Sequence, residues 1–131
     1  MCIRDRIYAG NKEAAENVQK EIENTGAICR AYRCDVSDFQ ACADTVKLIN
    51  TELGTVDVLV NNAGITRDKL ILSMKEEDFD SVINVNLKGC FNMIKACVSQ
   101  MIKKRYGKII NITSVAGIMG NPCLLYTSRC V

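Results

Sequence analysis

The stretch Val56-Asp57-Val58-Leu59-Val60-Asn61-Asn62-Ala63-Gly64 decides the fold of this chain. Val56 to Val60 reads as a short strand of the kind buried on both faces of a parallel sheet. Asn-Asn-Ala-Gly directly behind it marks a strand-to-loop turn. Working upstream, Phe39, Cys42, Val46, Ile49 and Leu53 recur at spacings of 3 and 4, and Gly54 ends that helix. Ser37 and Gln40 predict a capping-box pair at its start. Ala27 to Cys34 reads as a strand, with Arg30 and Arg33 suited to an edge position. Asn11 caps a helix running to about Asn24, with Ala15, Val18 and Ile22 on one face and Gly26 as the stop. Downstream, Ser73 and Glu76 open a third helix that runs to about Arg105, and Gly107 leads into a strand from Lys108 to Thr113. Helix-period and strand-period segments therefore alternate. That alternation predicts an α/β fold of repeated βαβ units on a parallel sheet.

Composition narrows the function classes. The 131 residues suit one domain, with 17 Lys and Arg against 15 Asp and Glu and no His. A formal charge of +2 gives no basic face of the kind nucleic-acid binders show, so no nucleic-acid partner is expected. No apolar run approaches the roughly 18 residues of a membrane span, and no signal peptide opens the chain. Eight cysteines contain no CxxC pair and have no His to complete a zinc set, so no metal is expected. Cys42, Cys90 and Cys97 fall on apolar helical faces and read as free core thiols. A reducing, cytoplasmic location follows as the expectation.

Several polar residues stand where chemistry could use them. Asn61-Asn62-Ala63-Gly64 lies at the carboxyl end of a strand, where open parallel sheets bind ligands. It serves equally well as a plain turn. Asn86 falls in the stripe Phe79, Val82, Ile83, Asn86, Cys90, Phe91, Ile94, Val98, Met101, the helix face expected to be buried. A buried unpaired amide is costly, so Asn86 is either an internal bridge or a residue facing a site. Ser114 follows the last clear strand and can hydrogen-bond a substrate oxygen. Without a His it is no triad nucleophile. Asp35 can accept from a nucleoside or act as a turn residue. Lys103, Lys104 and Arg105 close the long helix, where its dipole favours cations.

These residues together resemble the short-chain dehydrogenase/reductase family. The markers are Asp35-Val36, Asn61-Asn62-Ala63-Gly64, Asn86 within Asn84-Val85-Asn86, and Ile110-Asn111-Ile112-Thr113-Ser114. The fuller stretches NNAGITRDKLILSMKEEDF and GKIINITSVAGIMGN look like the 3-oxoacyl-acyl-carrier-protein reductases within it. The resemblance implies a Rossmann-like doubly wound parallel sheet and hydride transfer from NADPH to a 3-oxoacyl thioester. It implies that Asp35 and Val36 contact the adenine, and that Asn62, Ala63 and Gly64 lie along the cofactor. It implies catalytic roles for Asn86, holding a water in a proton relay, and Ser114, bonding the substrate carbonyl. Arg105 stands where such reductases carry a basic residue that docks acyl carrier protein, and the family is tetrameric. Acetoacetyl-CoA reductases and other short-chain alcohol dehydrogenases share much of the same pattern. A non-catalytic module that pairs with reductase subunits is the alternative from a different class.

The chain also departs from the family pattern. No GxxxGxG turn is formed by its glycines, and no YxxxK follows Ser114. Tyr126, the only Tyr beyond Ser114, has Cys130 at i+4 and reads as a decoy. The expected organisation is a partial dinucleotide-binding domain over residues 7–121, with non-family ends at Met1 to Arg6 and Pro122 to Val131. The sheet is then expected to lack its first βα unit and its C-terminal half, and the chain alone to be inactive.

Overall fold

The computed structural model describes residues 3–114. The first strand, β1 (Arg6–Tyr8), leads into α1 (Lys12–Glu23) and then β2 (Ala31–Arg33). Helix α2 (Phe39–Glu52) follows, then β3 (Val58–Asn61). A 3-10 turn at Ile71–Ser73 precedes α3 (Glu76–Ile83), a π-turn (Asn84–Lys88), α4 (Gly89–Lys104) and β4 (Lys108–Asn111). Every strand pair is parallel, as the alternation predicts. β1 pairs with β2 in the register Arg6↔Ala31 to Tyr8↔Arg33. β3 pairs with β4 in the register Val58↔Lys108 to Asn61↔Asn111.

The sheet comes in two halves. Among the described residues no ladder joins β1–β2 to β3–β4, so the facing edges are unpaired. One core nonetheless spans both halves: Cys34, Cys42, Val46, Leu59, Met93, Cys97 and Met101 cluster together, with Ile7, Val36 and Val56 packed against them. Cys42 and Cys97 behave as the small hydrophobes their positions predict. Burial pushes their thiols up to about 12 and about 11, with Cys34 adding to the shift of Cys42.

The elements depart from expectation in instructive places. The strand expected over Ala27 to Cys34 is a regular ladder only at Ala31–Arg33, preceded by an isolated bridge between Ile3 and Ile28. Asp38, rather than Ser37, caps α2: its side chain accepts from Ala41 N–H at 2.9 Å. Ser37 is already committed, because its N–H and hydroxyl both donate to Asp35 Oδ1. Ser73 likewise belongs to the 3-10 turn, and Asp78 closes the first turn of α3 by accepting from Lys75 N–H. Val58 and Val60 were expected to be buried on both sheet faces, but they are 46% and 51% exposed. Leu59 and Asn61 alternate with them and point into the core. Only one face of this half-sheet is covered by the described helices.

Candidate dinucleotide site

The carboxyl ends of β3 and β4 open onto a cleft of about 580 Å³. Asn62, Ala63 and Gly64 reach it from the end of β3, and Ser114 from beyond β4. Asn86, Cys90, Phe91 and Ile94 form the helical wall. The apolar stripe expected to be core is thus divided. Of that stripe Val82 and Met101 are buried, whereas Cys90, Phe91 and Ile94 line the cleft, and Met93 and Cys97, outside the stripe, are buried instead.

Asn86 sits in the π-turn, a helix irregularity frequent at functional sites because it re-aims a side chain and disturbs the backbone ladder. Its amide faces the loop after β3. Oδ1 accepts from Ile65 N–H at 2.9 Å and Nδ2 donates to Ile65 C=O at 3.0 Å. The Cys90 thiol donates to the Asn86 carbonyl at 3.1 Å, and burial raises its pKa. At the strand ends, Asn61 Nδ2 donates to Asn111 Oδ1 at 2.9 Å. This pair locks the two strands in register where Asn62 and Thr113 leave them.

None of the backbone N–H groups of Asn62, Ala63 and Gly64 bonds to another described residue. All three residues line the cleft, and backbone N–H donors of this kind suit the amide and ribose oxygens of a dinucleotide.

Asp35 and Val36 are not among the residues lining this cleft. They follow β2, where Asp35 Oδ1 accepts from Ser37 Oγ at 2.7 Å and from Ser37 N–H at 2.9 Å. Those bonds hold the Asp35 carboxyl below the usual carboxylate range. Arg105 is the left-handed end residue of α4, with φ 52°. It therefore lies at the amino end of β4, the opposite end from Ser114. Tyr126 lies outside the described residues.

Asn92 escaped the sequence reading. It is only 1% exposed and donates through Nδ2 to Val36 C=O at 2.8 Å. The signal was available: an Asn in a helix interior raises the same question at position 92 as at position 86, but Asn92 lies off the apolar stripe.

The profile of the family described as short chain dehydrogenase matches residues 4–128. The chain belongs to the short-chain dehydrogenase family. It is 48% identical over 115 residues to a 3-oxoacyl-acyl-carrier-protein reductase of Staphylococcus aureus, covering 88% of this chain and 47% of that protein. The enzyme of the same name from Thermotoga maritima is 48% identical over 118 residues, covering 88% and 48%. That of Synechocystis is 46% identical over 115 residues, covering 88% and 47%. This chain thus spans about half the length of the curated relatives it matches. In three dimensions it is similar to NAD+-bound xylitol dehydrogenase, with a TM-score of 0.91 at 31% identity, covering 98% of this chain and 49% of that one. A partial Rossmann-like sheet with parallel strands is thereby its fold class. No helix among the described residues is long and apolar enough to cross a membrane.

Proposed function

We propose that this protein works in the NADPH-dependent reduction of 3-oxoacyl groups carried on acyl carrier protein, in fatty acid synthesis. The observation that carries the reading is the meeting of Asn86, Asn62 to Gly64 and Ser114 in one cleft at the carboxyl ends of parallel strands. The names of the relatives support the substrate class.

The dinucleotide supplies a hydride when bound. The chain's own residues do the rest. The N–H groups of Asn62, Ala63 and Gly64 hold the cofactor along the end of β3. The Ser114 hydroxyl donates to the 3-oxo oxygen, where negative charge develops as the carbonyl is reduced. Each atom of the Asn86 amide spends one bond on Ile65 and keeps one more donor or acceptor site, enough to hold a water that relays a proton. Asp35 and Val36 meet the adenine, and Arg105 meets the acidic carrier. The protein acts as a homo-oligomer in the cytoplasm.

The sequence supplies Asn86 and Ser114 but no YxxxK beyond Ser114 and no GxxxGxG. General acid catalysis alone is worth about 10²–10⁴ in rate, so the chain by itself is expected to show no family-like turnover. The test is a graft. Residues 7–114 replace the matching segment of the Thermotoga maritima reductase, and NADPH consumption with an acetoacetyl-carrier substrate is followed by absorbance. Turnover in the graft and its loss in Ser114→Ala are the expected results. A folded graft that binds NADPH but leaves the thioester untouched overturns the reading.

A further inference from the structure

Val36 is held from beneath by two helices, chiefly α4. Its carbonyl oxygen accepts from Asn92 Nδ2 at 2.8 Å and from the Cys42 thiol at 3.4 Å. Its side chain lies so close to Gly89 that a Cβ there would meet Val36 Cγ2 at 2.7 Å. Gly89 and Asn92 are neighbours at i, i+3, so they present one face of α4 to Val36. The Asn92 amide is oriented without ambiguity, because only its nitrogen can donate to a carbonyl. Its Oδ1 is buried with no partner among the described residues. A buried acceptor left unbonded costs stability, and a Leu, with the same branching and no polar atom, would avoid that cost. What the Asn provides in exchange is the bond to Val36.

The Val36 N–H, by contrast, bonds to no described residue. Its neighbour Asp35 has no Oδ2 bond to a described residue, while Oδ1 takes both bonds from Ser37. The turn is thus pinned on its core side and leaves an N–H donor and a carboxylate oxygen unspent among the described residues. The helix that pins it continues from the π-turn carrying Asn86.

We infer that Asn92 and Gly89 are positioning residues for adenine recognition: they fix Val36 against α4, setting its N–H and the Asp35 carboxylate for the ligand. This rests on the dinucleotide reading above. It also means that one helix places both ends of the cofactor, through Asn86 at one and through Asn92 at the other. Neither Asn92 nor Gly89 touches the ligand.

The experiment uses the chain as it stands, at a concentration where sedimentation shows it monomeric, with amide NMR titrations of adenosine monophosphate and of nicotinamide mononucleotide. In the unmodified chain, adenosine monophosphate is expected to shift the Val36 amide. Asn92→Leu is expected to weaken adenosine monophosphate binding at least tenfold, with nicotinamide mononucleotide binding and Tm held. Gly89→Ala, which pushes Val36 outward, is expected to weaken the same ligand selectively. Equal binding of adenosine monophosphate by the unmodified chain and both variants overturns the positioning role and leaves the dinucleotide reading standing. So does a parallel loss of both ligands with a fall in Tm, the mark of a merely structural residue. Absence of adenosine monophosphate binding in the unmodified chain overturns the dinucleotide reading itself, and this inference with it.

Discussion

The side-chain amide of Asn86 forms a closed pair of hydrogen bonds with the backbone of Ile65, oxygen to N–H at 2.9 Å and nitrogen to C=O at 3.0 Å. The pair spans 21 residues and ties the loop leaving β3 to the π-turn before α4. It fixes the width of the cleft between Gly64 and the helical wall.

The first prediction follows from that pair. From helix propensity alone, Asn86→Leu should hold or raise stability, since Leu is the better helix former. The structure reverses that expectation, because Leu leaves the Ile65 N–H and C=O unpaired in a half-buried place. A loss of about 1–3 kcal/mol is expected, read as a lower denaturant midpoint at unchanged slope. An unchanged midpoint would mean that water replaces the amide without cost.

A second prediction concerns pH. Tyr32 OH donates to Glu52 Oε2 at 2.8 Å, and the Arg30 guanidinium pairs with the same oxygen. Burial, and then the bond to Glu52, pushes the Tyr32 phenol up to about 12. The bonds from Tyr32 and Arg30 hold the Glu52 carboxyl below its ordinary range. For Tyr32 the folded value exceeds the unfolded one, so its contribution is complete below pH about 10 and lost as pH rises towards 12. For Glu52 the folded value is depressed, so its contribution is present above pH about 4.3 and lost as pH falls through the folded value. Glu52→Gln should therefore move the Tyr32 titration, followed by ultraviolet absorbance, down from about 12. An unmoved titration would leave burial as the whole cause.

The third prediction concerns the split sheet. Among the described residues no ladder joins the two strand pairs, so unpaired strand edges expose backbone donors and acceptors beside half-exposed Val58 and Val60, a template for association. The chain in isolation is expected to self-associate with a broad thermal transition, and Val60→Lys to reduce that association. Sedimentation velocity across a concentration series checks it. A monodisperse monomer with a sharp transition would show that the two strand pairs close together in solution.

The fourth prediction separates two roles of Arg105. Its left-handed φ of 52° strains any residue with a Cβ, so Arg105→Gly should raise stability by about 0.5–1 kcal/mol. Arg105→Glu keeps the strain and reverses the charge. It should weaken use of acyl-carrier substrates more than of short thioesters in the grafted enzyme, with added salt blunting the difference. An equal loss on both substrates would assign Arg105 to the helix end alone.

The sequence by itself determined the alternation of elements, the parallel sheet and most of the cleft. Asn11 caps α1 as its spacing predicts. Residues 62–64, Asn86 and Ser114 do meet where strands end. These features are local: a cap, an apolar period or a turn is written within a few consecutive residues. Only the tertiary structure decided what depends on partners far along the chain. The α2 cap passed to Asp38 because Asp35 had claimed Ser37. The apolar stripe of the long helix divided between core and cleft, since an apolar side chain alone does not say which it faces. Asn92 acquired a partner 56 residues away in Val36, and Asn86 one 21 residues away in Ile65. A side-chain amide has the same donor and acceptor wherever it sits, and only the folded chain decides which backbone groups it meets.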